Sequence, residues 1–469
     1  MTLPFTPALA LARMLRAGSL SSEELVLECL ERIDAYNPRL SAFVDVLRDR
    51  ALAEARAADK RLARRRGDTP LFLGVPVAVK DLNLARGSFT RFGSRAFEKF
   101  FSPFDDDVVA QLRRAGFVIL GKSATSELGT LPVTEPDIHP PTRNPWDPDV
   151  TPGGSSGGAG AAVASGMVPI AQGSDAAGSI RIPASFCGLF GIKPSQGRVP
   201  NPYGLDDKKL IWTSGPIART VDDAAAMLDV MAGVPSPATP SDARTGSVPL
   251  PSRPFAELAR ERPPRLRLRV ALRSTLVETD PDVADAVERV ARTLEKQGHH
   301  IEERPMELPE GAIEDFLPVW QSSTVQAPVY DWSVTQPVTQ WMADKGRSLD
   351  PVAIQRLMEK LRRIALDQFG DADAWITPTV AVPPPRIGEW RNLSPLDVFE
   401  RATRVGVFTA PFNVSWQPAA SLPAGLSRRG HPIGVQIAGK PLADALVLAL
   451  ARAVEEEMPW TVDSRPPLP

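Results

Sequence analysis

Two glycine-framed serines and one lysine are the residues of this chain whose types and spacing could do chemistry. Ser155 sits in TPGGSSGG and Ser179, 24 residues on, in GSDAAGSIR; Lys80 closes GVPVAV, 75 residues before the first serine. A serine hydroxyl is a weak nucleophile until a base takes its proton. A lysine amine can be that base only when neutral, a state that burial favours. Lys80 ends a short apolar, β-branched run that reads as a buried strand, so desolvation is available to it. Around each serine, small residues let backbone N–H groups crowd toward a reacting atom, which is how an oxyanion is held. Together the three residues suggest acyl transfer run by lysine rather than histidine.

Taken singly, each segment has a plainer reading. TPGGSSGG resembles a flexible linker or a phosphate-binding turn in composition. It leads directly into AGAAVASG, a small-residue helix suited to tight packing, which linkers rarely do. GSDAAGSIRIPA could be an ordinary helix start, with Asp175 and Arg181 placed to pair across the turn. Gly116 to Ser123 fits the phosphate-loop expression GxxxxGK[ST], but a helical pattern precedes it and Phe117–Leu120 are themselves the apolar strand, so the match reads as accidental.

Other chemistries find little support. The four histidines (His139, His299, His300, His431) are not at metal-ligand spacing, and two cysteines, Cys29 and Cys187, cannot build a disulfide framework or a four-cysteine metal site. No metal or other cofactor is therefore expected. A net charge of −2 offers no field for nucleic acid or an anionic membrane. No run of 18 apolar residues exists, and Arg13 and Arg16 interrupt the apolar start, so neither a membrane span nor a secretory signal is read and a cytoplasmic location is expected.

The elements that must position the three residues read as an alternation of helix and apolar strand. Residues 5–66 read as helices, with a capping box at Ser21 and Glu24. LFLGVPVAV, FVILG, MVPIAQ and FGIKP read as strands, with DDDVVAQLRRAG and VDDAAAMLDVMAG as helices. After a Pro/Ser-rich surface linker at 234–264, the pattern resumes to the C-terminus. This rhythm implies an α/β layered fold with helices on both faces of a largely buried sheet.

These residues resemble the amidase signature family. The matches run in order from GVPVAVKD at 74–81 through DDDVVAQLRRAGFVILGKS, NPWD, TPGGSSGG and GSDAAGSIRIPASFCGLFGIKPSQGRVP to SGPIARTVDDAA at 214–225; ITPT, FTAPFN and PIGVQIAG continue it more weakly. The signature core is thus 66–225, with 265–469 supplying further α/β elements and substrate loops. The resemblance implies one α/β/α layered domain over 1–469, with a twisted mixed central sheet covered by helices, and hydrolysis of a small-molecule carboxamide, without cofactor, through an acyl-enzyme. Ser179 would be the nucleophile. Ser155, joined to Gly154 by a cis peptide, would relay protons to Lys80, the general base. The N–H groups of Ala176, Ala177, Gly178 and Ser179 would hold the oxyanion, with Asp175 and Arg181 in support.

Two departures stand out. The turn before Ser179 is usually richer in glycine, and Trp416 stands where the family commonly has a small residue. Trp416 therefore becomes a candidate pocket residue, beside Trp320 and Tyr330 from 312–346, one of three candidate substrate loops with 125–150 and 202–213. Two alternatives stay open: an amidotransferase subunit acting on glutamine and mischarged tRNA, which resembles SIRQPA where this chain has Ile182, and a non-catalytic protein that keeps the fold. A homodimer is the expected assembly if the chain associates, though no residue pattern specifies one.

Overall fold

The computed structural model describes residues 3–64, 69–203, 210–235, 243–460, 466 and 468. Eleven strands form one sheet: β1 (Phe43–Val46), β2 (Pro76–Lys80), β3 (Val118–Ser123), β4 (Ile170–Asp175), β5 (Phe190–Lys193), β6 (Thr213–Ala218), β7 (Arg267–Val270), β8 (His300–Glu303), β9 (Ala374–Pro378), β10 (Ala419–Leu426) and β11 (Pro432–Gly439). Their order is β1-β3-β2-β4-β6-β5-β10-β11-β9-β7-β8. β2 runs parallel to both β3 and β4, whereas β6, β5, β10 and β11 pair antiparallel, so the sheet is mixed.

Burial follows the sequence pattern. Every residue of β2, β3, β4, β5, β6, β9 and β11 is buried, as expected for strands covered on both faces. Helices Ser22–Leu40, Asp107–Arg114, Gly157–Ala164, Val221–Ala232, Pro281–Lys296 and Asp444–Glu457 bury their apolar residues in the main core. The capping box at Ser21 and Glu24 forms as read.

Two readings change. Residues 5–66 are not helical throughout: β1 interrupts them and pairs with β3 at the sheet edge. Residues 312–346 are not a loop but carry helices Ala312–Thr324 and Pro337–Gly346. These pack with helices Pro351–Phe369 and Pro395–Gly406 into a second apolar cluster that also contains Ile182. The phosphate-loop match at Gly116–Ser123 is accidental as read, since Val118–Ser123 is β3 itself.

Within the proline-rich stretch 234–264, residues 236–242 lie outside the described residues, as do 65–68 and 204–209. The rest is held down: the Asp229 carboxylate accepts the N–H groups of Phe255 (2.6 Å) and Ala256 (3.0 Å), starting the short helix Phe255–Leu258. The strands before and after this stretch share the one sheet.

Candidate active site

The site is assembled where two parallel strands end side by side. β2 ends at Lys80 and β4 at Asp175, and the loops after β4 and before helix Gly157–Ala164 carry Ser179 and Ser155. The Ser156 N–H donates to the Ser179 carbonyl (3.2 Å), tying the two serine loops together. The Gly154–Ser155 peptide is cis. Gly154 has no room for a side chain, since a Cβ there would lie 2.7 Å from the backbone of Leu131, Pro132 and Val133.

Lys80 is wholly buried. Its Nζ donates to Ser155 Oγ (2.7 Å), to Ser174 Oγ (3.0 Å) and to the Ser174 carbonyl (3.3 Å). Burial is the larger influence on this amine and lowers its pKa to about 7, against the opposing pull of the Asp175 charge. A substantial neutral fraction is therefore available near neutral pH. The neighbouring Asp81 faces away from the serines, pairing with Lys122 at 3.3 Å and accepting the Arg91 N–H.

Asp175 organises the turn that bears Ser179. Its carboxylate accepts the N–H groups of Gly178 (2.7 Å) and Ile180 (3.1 Å) and two guanidinium bonds from Arg181. Burial alone would raise its pKa; the Arg181 guanidinium overcomes that and, with Lys193 and Asn413, holds the carboxyl well below the usual range. The remaining Arg181 donors go to the Thr409 carbonyl, Gln436 Oε1 and Asn413 Oδ1. All five N–H groups of a fully buried guanidinium are thus used.

This network corrects the expected oxyanion hole. Gly178 cannot contribute, because its N–H is committed to Asp175. The peptide between Ala177 and Gly178 is held at both ends, with its carbonyl accepting from Thr409 Oγ1 (2.5 Å). Asn413 Nδ2 holds the Asp175 carbonyl in the same way (3.0 Å). The N–H groups of Ala176, Ala177 and Ser179 make no hydrogen bond among the described residues. Neither alanine adopts a positive φ, so the departure from glycine costs no backbone strain; the φ of +122° falls on Gly178.

Ser179 borders a cavity of about 120 Å³, beside Ala177, Ile182, Trp320 and Ala402. Trp320 therefore lines this cavity. Tyr330 does not: the residue is fully exposed. Trp416 is also outside the wall, for its ring lies under the Arg362 guanidinium, 3.7 Å from the ring centroid. Ser174, Thr409, Asn413 and Gln436 escaped the sequence reading. Ser174 directly precedes Asp175 at a strand end, a position that could have drawn notice; the other three lie more than 220 residues away in sequence.

Among the described residues no group of three or more His, Cys, Asp or Glu could hold a metal ion. None of their helices is long and apolar enough to cross a membrane.

A family model for amidases matches residues 24–448, and the chain belongs to this family, the amidase signature enzymes. An amidase homologue from Synechocystis sp. is 39% identical over 457 residues, covering 96% of this chain and 88% of that protein. The solved structure of 6-aminohexanoate cyclic dimer hydrolase complexed with substrate superposes with a TM-score of 0.88 at 32% identity, covering 100% of this chain and 99% of that one. A bacterial aryl acylamidase structure matches with a TM-score of 0.84 at 26% identity, over 97% of both chains.

Proposed function

We propose that this chain hydrolyses a carboxamide to a carboxylic acid and ammonia or an amine, with Ser179 as nucleophile. The observation that carries this reading is the buried Lys80 amine, 2.7 Å from Ser155 Oγ, behind a serine that borders a cavity.

Neutral Lys80 takes a proton from Ser155 as Ser155 takes one from Ser179, and Ser179 Oγ attacks the amide carbon. The carbonyl oxygen becomes an oxyanion facing the unspent N–H groups of Ala176, Ala177 and Ser179. The proton held at Lys80 returns through Ser155 to the leaving nitrogen, the C–N bond breaks, and an ester to Ser179 remains. Water then adds to that ester while the same relay removes its proton. The acid leaves and Ser179 regains its hydrogen. Ser174 steadies the ammonium whenever Lys80 is charged.

The test is release of ammonia from a panel of primary amides. Turnover by the wild-type protein that disappears in Ser179→Ala, with the fold unchanged by circular dichroism, supports the reading. Undiminished turnover in that variant overturns it.

A further inference from the structure

We infer that the cavity beside Ser179 is an acyl-group site selective for uncharged, apolar acyl groups about the size of one aromatic ring or a six-carbon chain. The inference rests on the catalytic reading only for the direction in which substrate sits; the cavity's chemistry is independent of it.

Among the described residues, no aspartate, glutamate, lysine, arginine or histidine lines it. Besides Ser179 and the Trp320 indole N–H, three wall residues have polar side chains, and each spends a donor on a backbone carbonyl. Thr130 Oγ1 donates to Glu127 (2.8 Å), Thr403 Oγ1 to Phe399 (2.9 Å) and Gln368 Nε2 to Glu307 (2.6 Å). The rest of the wall is aliphatic or aromatic, with Ile182, Phe316, Trp320, Met342, Leu361 and Phe399 among it. A charged group entering here would lose its hydration and find no counter-ion among the described wall residues. An apolar group would find aliphatic and aromatic side chains to pack against.

Size narrows the class. At about 120 Å³ the cavity approaches the ~150 Å³ at which an apolar engineered cavity takes up benzene. One phenyl ring or a short alkyl chain fills it, whereas an acetyl group leaves most of it empty. An amino acid side such as that of glutamine, with an ammonium and a carboxylate, is excluded by charge. An acyl chain ending in an ammonium is excluded in the same way.

The experiment separates binding from chemistry by measuring calorimetric affinity on Ser179→Ala for acetamide, hexanamide, phenylacetamide and 6-aminohexanamide. Each buried methylene is worth about fourfold, so hexanamide should bind on the order of a hundredfold tighter than acetamide. Phenylacetamide should behave like hexanamide, and 6-aminohexanamide should bind no better than acetamide. Equal affinities for acetamide and hexanamide, no binding of hexanamide, or 6-aminohexanamide binding as tightly as hexanamide would each overturn the inference. Ala402→Asp, on the wall helix Pro395–Gly406, should reverse the preference between hexanamide and 6-aminohexanamide. If that variant does not fold, the comparison on Ser179→Ala still decides. Wild-type turnover is read separately: the expected order of affinities with no hydrolysis of any amide would remove the catalytic reading and leave the site standing. Hydrolysis of acetamide and hexanamide with equal kcat/KM would do the opposite.

Discussion

Asp175 and Arg181 face each other across the turn that carries Ser179, joined by two side-chain hydrogen bonds of 2.9 and 2.8 Å, and neither is reached by solvent. The carboxylate shapes the turn through backbone N–H groups, while the guanidinium ties it to residues more than 220 positions away. Arg181→Ala strands a buried carboxylate, a loss of about 3–5 kcal/mol of stability. Denaturant unfolding reads this directly. A variant as stable as the wild type would show that the pair does not hold the turn.

Lys80 must be neutral to act as the base, and its pKa lies at about 7. The proton occupies the amine below that pH and blocks the relay. In the free enzyme kcat/KM should therefore rise about tenfold per pH unit below pH 7 and level off above it. Lys80→Ala should cost about 10²–10⁴-fold in kcat/KM. A pH profile flat between pH 5 and 7 would remove lysine from the role.

Ser174 contacts Lys80 through its hydroxyl. Without that acceptor the ammonium form is less favoured, so Ser174→Ala should move the rising limb of the profile to lower pH. A limb that moved upward would contradict the geometry.

Gly178 combines a φ of +122° with a tight surround, where a Cβ would lie 2.4 Å from Thr409 Oγ1. Gly178→Ala should lose about 1–3 kcal/mol from backbone strain and more from the collision, and activity with it. Thermal unfolding unchanged in this variant would mean that the turn adapts freely.

The catalytic candidates were legible because glycine framing and a lysine at a strand end are local signals. Local signals also gave β2, β3 and β4, whose runs are apolar. β6 and β10 were not read as strands, for Pro216 and Pro423 interrupt them as proline rarely interrupts a strand. The cost of reading residue type without direction shows at Tyr330 and Trp416: aromaticity marks them equally, yet one points to solvent and the other to Arg362. Nor does a glycine-rich turn say which of its N–H groups is already spent. That depended on Asp175, whose pairing with Arg181 was read but whose grip on Gly178 was not. The cavity wall was hidden because it draws on six separate helices, two of them in a stretch read as loop.

The most direct measurement is labelling of the folded protein with a fluorophosphonate serine probe, followed by peptide mapping, beside Lys80→Ala as control. Label on Ser179 that is lost in the Lys80→Ala protein is the expected result. Folded wild-type protein that carries no label on Ser179, or Lys80→Ala protein labelled as fast as wild type, would contradict the account.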